Sequence, residues 1–390
     1  MNPLLNPFSP GAGSPPPELA GRTTIIERAK IALVRVKNGK PEKSMMLVGL
    51  RGVGKTVLLN RISEMAEEEK YETIFVEAHE NKSLAALLLP HLRQLLYRLD
   101  RIEGISEKVK KGFRVLKSFF NGVKVAVQDI EFSLDVDPET GTADSGDLEA
   151  DLPALFESIG LASSDRKIPV AIIIDELQYL SEKELSALIM AMHRISQKQL
   201  PLILVGAGLP QLVGLAGKSK SYAERLFDFP NLGPLEGLDA INALQEPVLS
   251  QGVKFSQEAM AEIVDKTKGY PYFLQEWGYQ AWNVAPSSPI DLSSALLATN
   301  KAISRLDESF FRVRFDRLTP SEKKYLRALA ELDEDRHRSG DVAEKMGVKV
   351  QSVAPIRNSL IKKGMIYSPA HGDTEFTVPL FGEFMKRVMV

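Results

Sequence analysis

Residues 44–69 read SMMLVGLRGVGKTVLLNRISEMAEEE. An apolar run leads into a glycine-rich turn, and an amphipathic stretch leads out, so the order is strand, turn, helix. Within it GLRGVGKT fits the spacing G-x-x-x-x-G-K-[ST] at Gly49, Gly54, Lys55 and Thr56. The chain at Gly49, Gly52, Val53 and Gly54 can wrap phosphate oxygens with its backbone N–H groups, because the glycines carry no Cβ. The helix that starts at Lys55 adds the positive end of its dipole. In that arrangement Lys55 reaches the β- and γ-phosphates of ATP and Thr56 holds Mg2+. The plainer alternative is a glycine turn before an ordinary helix. The flanking strand and helix argue against it.

A second stretch supplies the partner. In AIIIDELQYL, residues 171–180, four apolar residues place Asp175 at the end of a buried strand, suited to the Mg2+ hydration shell. Glu176 follows at once, placed to act as general base on the attacking water. A core strand running into an acid-capped helix would look similar, but not beside a phosphate loop. Two further apolar runs, at 73–78 and 201–207, complete a set of strands covered on both faces. They alternate with helical patterns from Thr23 to about Phe229, which predicts a parallel α/β sheet.

The rest of the composition narrows the function classes. With 390 residues, 44% hydrophobic and 26% charged, the chain is long enough for two or three globular domains. The formal charge of −2 exerts no global pull on nucleic acid, so any such site must be a local patch. The chain has no cysteine, which excludes disulfides, thiolate catalysis and cysteine zinc sites. His79, His91, His193, His337 and His371 show no paired ligand spacing. No apolar run approaches the ~18 residues that span a bilayer. The first 22 residues lack the basic and apolar regions of a signal peptide. The expectation is a cytoplasmic protein with no membrane partner.

Lys55 and Asp175 stand farther apart than a pair of βα units requires, so an insertion is expected at about 105–147. Inside it, apolar residues alternate through VKVAVQDIEFSLDV, residues 123–136, and change parity at Gln128-Asp129. A protruding strand or hairpin with a bulge or tight turn is expected at about 121–145. The basic segment before it, Lys108 to Lys117, reads as a solvated helix face more readily than as a DNA contact. Residues 1–20 are proline-rich, a tail or extended strap. Residues 236–310 read helical. The segment 311–390 reads as a separate unit of three helices followed by a wing: TPSE at 319–322 is a capping box, and HGDT at 371–374 turns between two short strands.

Together the phosphate loop, the Asp-Glu strand, the helical segment and the terminal winged helix resemble AAA+ ATPases. The nearest group is that of origin-recognition-like and archaeal ATPases, which shades into the STAND signalling ATPases. The resemblance spans nearly the whole chain from about Leu19 and implies an AAA+ α/β core at 21–235, a helical lid at 236–310 and a winged helix at 311–390. It implies that Gly21-Arg22 contacts the adenine end of the nucleotide and that Pro271, in Gly269-Tyr270-Pro271, lies near it. It also nominates Arg225, in SYAERLF, as an arginine finger reaching a neighbour's γ-phosphate in a homo-oligomer, although a surface salt bridge would explain Arg225 too. One departure stands out. Members end the fourth strand with a polar sensor, whereas LILVGAGLP offers only Gly206, Ala207 and Gly208.

The last predicted helix raises the question of DNA. Lys345, Lys349, Arg357, Lys362 and Lys363 form a run without an acidic residue. Val353, Ile356 and Leu360 define its buried face, which leaves Gln351, Pro355, Asn358 and Lys362 outward with Ser352 beside them. Asn and Gln side chains can read base edges, and Lys and Ser can hold phosphate, so Lys349, Gln351, Ser352, Asn358 and Lys362 are the candidate contacts to double-stranded DNA. The function expected is Mg2+-dependent ATP hydrolysis coupled to DNA binding. The alternative is a STAND-like switch whose winged helix docks protein.

Overall fold

The computed structural model describes residues 1–390 apart from 12, 14–15, 17–18, 102–105, 124–135, 333–336, 371 and 390. The expected bulge or turn at 128–129 therefore lies outside the described residues. The chain divides into two compact units, one of residues 24–48 and 55–231, the other of residues 1–23, 49–54 and 232–390.

The first unit is built on a parallel sheet. Its strands are β1 (Ser44–Gly49), β2 (Glu72–Glu77), β3 (Val170–Asp175), β4 (Leu202–Gly208) and the short β5 (Phe227–Asp228), in the order β2-β3-β4-β1-β5, and β6 (Asn231–Leu232) pairs with β1 off that path. Register is consistent across the sheet: Met45 lies opposite Val205, and Val205 opposite Ile173. The helices in chain order are α1 (Thr23–Lys37), α2 (Lys55–Glu68), α3 (Leu84–Asp100), α4 (Glu107–Gly122), α5 (Leu148–Arg166), α6 (Glu182–Gln197), α7 (Gln211–Ser219) and α8 (Ala223–Leu226).

The strands are apolar throughout because both faces are covered. Met46, Ile74, Ile172 and Leu204 pack into one cluster with Leu88, Leu92, Leu155 and Leu188 of α3, α5 and α6. The alternate residues Met45, Leu47, Ile173 and Val205 are also buried, and α2 packs across β2, β3 and β4. Truncating one such isoleucine to alanine costs about 2–5 kcal/mol. Ser181 and Glu184 close a capping box at the start of α6, which fixes where the chain turns back after β3.

The segment predicted as an insertion contributes core. Val109, Phe113, Leu116 and Phe119 of α4 are buried, while Lys108, Lys110 and Lys111 are exposed. Arg114 and Lys111 pair with Glu139, and the Lys117 ammonium donates to the carbonyl of Val136. The basic segment is thus the outer face of a packed helix.

The second unit is largely helical: α9 (Gly237–Leu249), α10 (Gln257–Thr267), α11 (Pro271–Val284), α12 (Leu292–Glu308), α13 (Phe310–Asp316), α14 (Pro320–Ala330), α15 (Ser339–Lys345), α16 (Val350–Lys362), the antiparallel pair β7 (Ile366–Tyr367) and β8 (Glu375–Phe376), and α17 (Phe381–Val388). Phe273, Trp277, Phe311, Phe381 and Phe384 form its aromatic centre. The N-terminal segment is a strap on this unit. Phe8 is buried against Gly278, where an added Cβ would lie 2.5 Å from the ring, so the glycine makes the notch that the ring fills. The Asn6 side-chain amide donates to the Tyr279 carbonyl, and the Trp282 ring N–H donates to the Asn2 carbonyl.

At the C-terminal end, Thr319 and Glu322 close the capping box expected there. Glu322 is buried and accepts from the Thr319 N–H at 2.7 Å, the Ser359 hydroxyl at 2.7 Å and the Lys363 ammonium at 2.7 Å. Burial pushes its carboxyl up, but these donors outweigh burial and hold it at about 2. One carboxylate thereby ties α14 to α16.

Candidate functional site

β1 and β3 both end in polar chemistry at the same edge of the sheet, with β4 between them. Open α/β sheets bind ligands at that carboxyl edge, where the strand order changes direction.

In the sheet unit, four side chains meet there. Lys55 is buried at the first turn of α2. The Thr56 hydroxyl donates to Asp175 Oδ2 at 2.5 Å. Asp175 is 4% exposed, and its Oδ1 accepts the Glu176 N–H at 2.8 Å. Burial pushes the Asp175 carboxyl up, and the neighbouring Glu176 charge adds to this; the Thr56 hydroxyl, the Glu176 N–H and the Lys55 charge pull the other way. Two hard oxygen donors in contact, one of them a buried carboxylate, suit Mg2+. Glu176 is half-buried and sits in the left-handed region at φ 56, a conformation costing about 1–3 kcal/mol for a residue with a Cβ. Strain of this kind clusters at functional sites.

The end of β4 explains the missing polar sensor. A Cβ on Gly206 would lie 2.3 Å from Leu177 Cδ1, so the position is filled from outside by the residue after Glu176. A Cβ on Gly208 would lie 2.9 Å from Leu212 Cδ2. Both glycines are packing requirements.

In the helical unit, the loop Gly49–Gly54 is held by its backbone. The Tyr272 N–H donates to the Gly52 carbonyl at 3.1 Å, and the Arg51 N–H donates to the Thr377 carbonyl at 3.0 Å. Arg22 donates to the carbonyls of Val53 at 3.2 Å and Gly233 at 2.7 Å. Burial lowers the Arg22 pKa and Asp239 partly offsets this. Gly52 and Gly54 take φ 84 and 90, as a turn presenting consecutive N–H groups requires. Gly21, at φ 67, lies against Asp239, and Gly269, at φ 69, lies against the Leu235 carbonyl just before Pro271 opens α11. Tyr272 and Thr377 carried no signal in the sequence; they touch the loop through backbone atoms from far along the chain.

Arg225 is exposed on α8 and makes no ion pair among the described residues. Lys349, Gln351, Ser352, Asn358 and Lys362 are all exposed on α16 or its N-cap. Val353 and Leu360 are buried and Ile356 is half-buried. The cation run is partly spent inside the unit. Lys363 binds Glu322, Lys345 binds Glu331, and Arg357 donates to Thr374, Ser368 and the Asp373 carbonyl.

A parallel sheet with a G-x-x-x-x-G-K-T turn after β1 and an acidic pair at the end of β3 defines a P-loop nucleotide-binding fold. Comparison with known proteins places it further: residues 18–205 match the AAA ATPase domain family, and this segment is an AAA+ ATPase domain. Residues 308–385 match a domain of unknown function (DUF8462). No curated protein matches the sequence. Among solved structures, the chain is similar to a Walker-type ATPase of Pyrococcus abyssi, with a TM-score of 0.55 and 14% identity over 94% of this chain and 96% of that one. At that identity the shared property is the fold. More distant likenesses are the RuvB Holliday junction branch migration motor of Thermotoga maritima (TM-score 0.46, 13% identity, 96% and 99% covered) and the Orc1 protein of Aeropyrum pernix in complex with DNA (TM-score 0.46, 16% identity, 96% and 94% covered). Among the described residues no helix is long and apolar enough to cross a membrane.

Proposed function

We propose that the chain binds ATP with Mg2+ and hydrolyses it to ADP and phosphate. The observation that carries this reading is the Thr56 hydroxyl on the Asp175 carboxylate, with Glu176 the next residue, at the carboxyl edge of the sheet. The loop N–H groups from Gly49 to Gly54 and the Lys55 ammonium hold the phosphates. Thr56 and Asp175 hold the Mg2+, which neutralises charge on the phosphate oxygens when bound. Glu176 takes a proton from water as its oxygen attacks the γ-phosphorus and the bond to the β–γ bridging oxygen breaks. Arg22 serves through the loop, since its guanidinium is committed to the Val53 and Gly233 carbonyls. By the family resemblance Gly21 and Pro271 are nucleotide-binding residues, and Arg225, exposed and without an ion pair among the described residues, acts on the γ-phosphate of a neighbouring copy.

In this reading residues 1–20 are a strap, 21–235 the ATPase core, 236–310 the lid and 311–390 a winged helix. The exposed face of α16, with Lys349, Gln351, Ser352, Asn358 and Lys362, contacts double-stranded DNA. A second reading has a specific observation in its favour. Lys345, Arg357 and Lys363 are engaged internally, and Val348 and Val350 beside Lys349 are exposed. That mixture suits a winged helix that docks protein in a nucleotide-dependent switch. Fluorescence anisotropy of a random duplex, at low and high salt with ATP and then ADP, separates the two. Binding that weakens with salt and depends on nucleotide supports the DNA reading; no binding under any of those conditions supports the switch.

A further inference from the structure

Turnover by Glu176 requires its carboxylate to be aimed, and the end of β4 has no side chain that can do so. Gly206 is occupied by Leu177, and the neighbouring Ala207 is apolar and buried. The polar group at that strand end comes instead from two residues beyond Glu176. Leu177–Tyr179 form a single 3-10 turn, closed by the Tyr179 N–H on the Glu176 carbonyl at 3.0 Å. The turn sends the Gln178 side chain to the end of β4, where its Oε1 accepts the Leu209 N–H at 3.1 Å. A backbone N–H only donates, so this bond sets the orientation of the amide. Nε2 must face the other way, and there it donates to Glu176 Oε2.

We propose that Gln178 is a positioning residue for Glu176. Anchored on the Leu209 N–H, its amide fixes one carboxylate oxygen and leaves the other to accept the proton of the attacking water. The task of a strand-end sensor has moved to the turn after β3. This inference rests on the ATPase reading above.

The informative substitution is Gln178→Glu. It keeps the side-chain length and the acceptor for the Leu209 N–H, and it replaces the donor facing Glu176 with a like charge. In the full chain, kcat falls by roughly ten- to a hundredfold, while KM for ATP, affinity for a fluorescent ATP analogue and Tm stay unchanged. Gln178→Asn, which retains an amide too short to span both bonds, gives a similar loss and covers the case in which the Glu variant does not fold. In a Glu176→Gln background, adding Gln178→Glu lowers turnover no further, because the two residues act as one unit. An unchanged or raised kcat, or an equal fractional loss on top of Glu176→Gln, overturns the proposal. Wild-type turnover that Glu176→Gln abolishes and Gln178→Glu spares sinks this inference alone. A wild-type chain without turnover sinks the ATPase reading, and this inference falls with it.

Discussion

The end of β3 and the outer face of α16 both carry charge and invite a ligand, yet they are built in opposite ways. At β3, Asp175 is buried, its two oxygens are engaged by Thr56 and the Glu176 N–H, and the backbone at Glu176 is strained. The Thr56 hydroxyl, both Asp175 oxygens and one Glu176 oxygen are each held by a neighbour. On α16 and its N-cap, Lys349 and Lys362 project into solvent; of the other cations of the run, Lys363 and Arg357 bind Glu322 and the Asp373 carbonyl, and Lys345 on α15 pairs with Glu331 at the surface. Preorganised charge does chemistry, whereas mobile surface charge at most steers and docks. In the proposed function the sheet edge is accordingly the reactive centre and α16 an adaptable contact.

Glu176 is the group whose loss matters most. Glu176→Gln removes the proposed base without changing size, and ATP turnover measured in the steady state falls by roughly 10²–10⁴-fold with nucleotide affinity retained. Unchanged turnover means that another group is the base. Lys55→Ala comes next. Losing a buried ammonium that faces phosphate weakens nucleotide binding by about 2–5 kcal/mol, read by titration with a fluorescent ATP analogue.

Glu322 offers a stability test on the α16 side. Its carboxyl sits at about 2 in the folded chain, below the ordinary value of 4.5. The stabilisation, about 3 kcal/mol, is fully present above pH 4.5 and is lost as pH falls toward 2. Glu322→Gln lowers the neutral-pH stability by a similar amount and flattens the acid limb of the denaturation midpoint. A midpoint that keeps its acid slope in the variant means that other carboxylates set it. The smallest effect belongs to DNA. With Lys349 and Lys362 making no ion pair among the described residues, the slope of log affinity against log salt is about −2 from this helix. A slope near −5 means that Lys345, Arg357 and Lys363 exchange their present partners for phosphate on binding.

Legibility in the sequence followed the same divide. The strands at 44–50, 73–78, 170–176 and 201–207 were readable because burial on both faces makes them continuously apolar, and the phosphate loop because only glycine takes φ above +80 cheaply. Val353, Ile356 and Leu360 showed the inward face of α16 through helical spacing. What spacing did not convey was partner choice over long separations. Nothing local says that Lys363 goes to Glu322 or Lys345 to Glu331, so the basic run read as freer than it is. Nor could Gln178 be recognised, because its meaning depends on the Leu209 N–H of another strand end and on Leu177 filling Gly206. Of the hairpin predicted at 121–145, residues 121–122 instead close α4, 124–135 lie outside the described residues, and in the polar end Glu139 anchors Arg114 and Lys111.

The most direct test of the sheet edge as a nucleotide site is a titration of the full chain with a fluorescent ATP analogue and Mg2+, wild type against Lys55→Ala, with Thr56→Ala alongside. Saturable binding by the wild type, lost in Lys55→Ala and weakened in Thr56→Ala, is the predicted result. Equal affinity in all three chains would contradict the assignment of Lys55, Thr56 and Asp175 to a bound nucleotide.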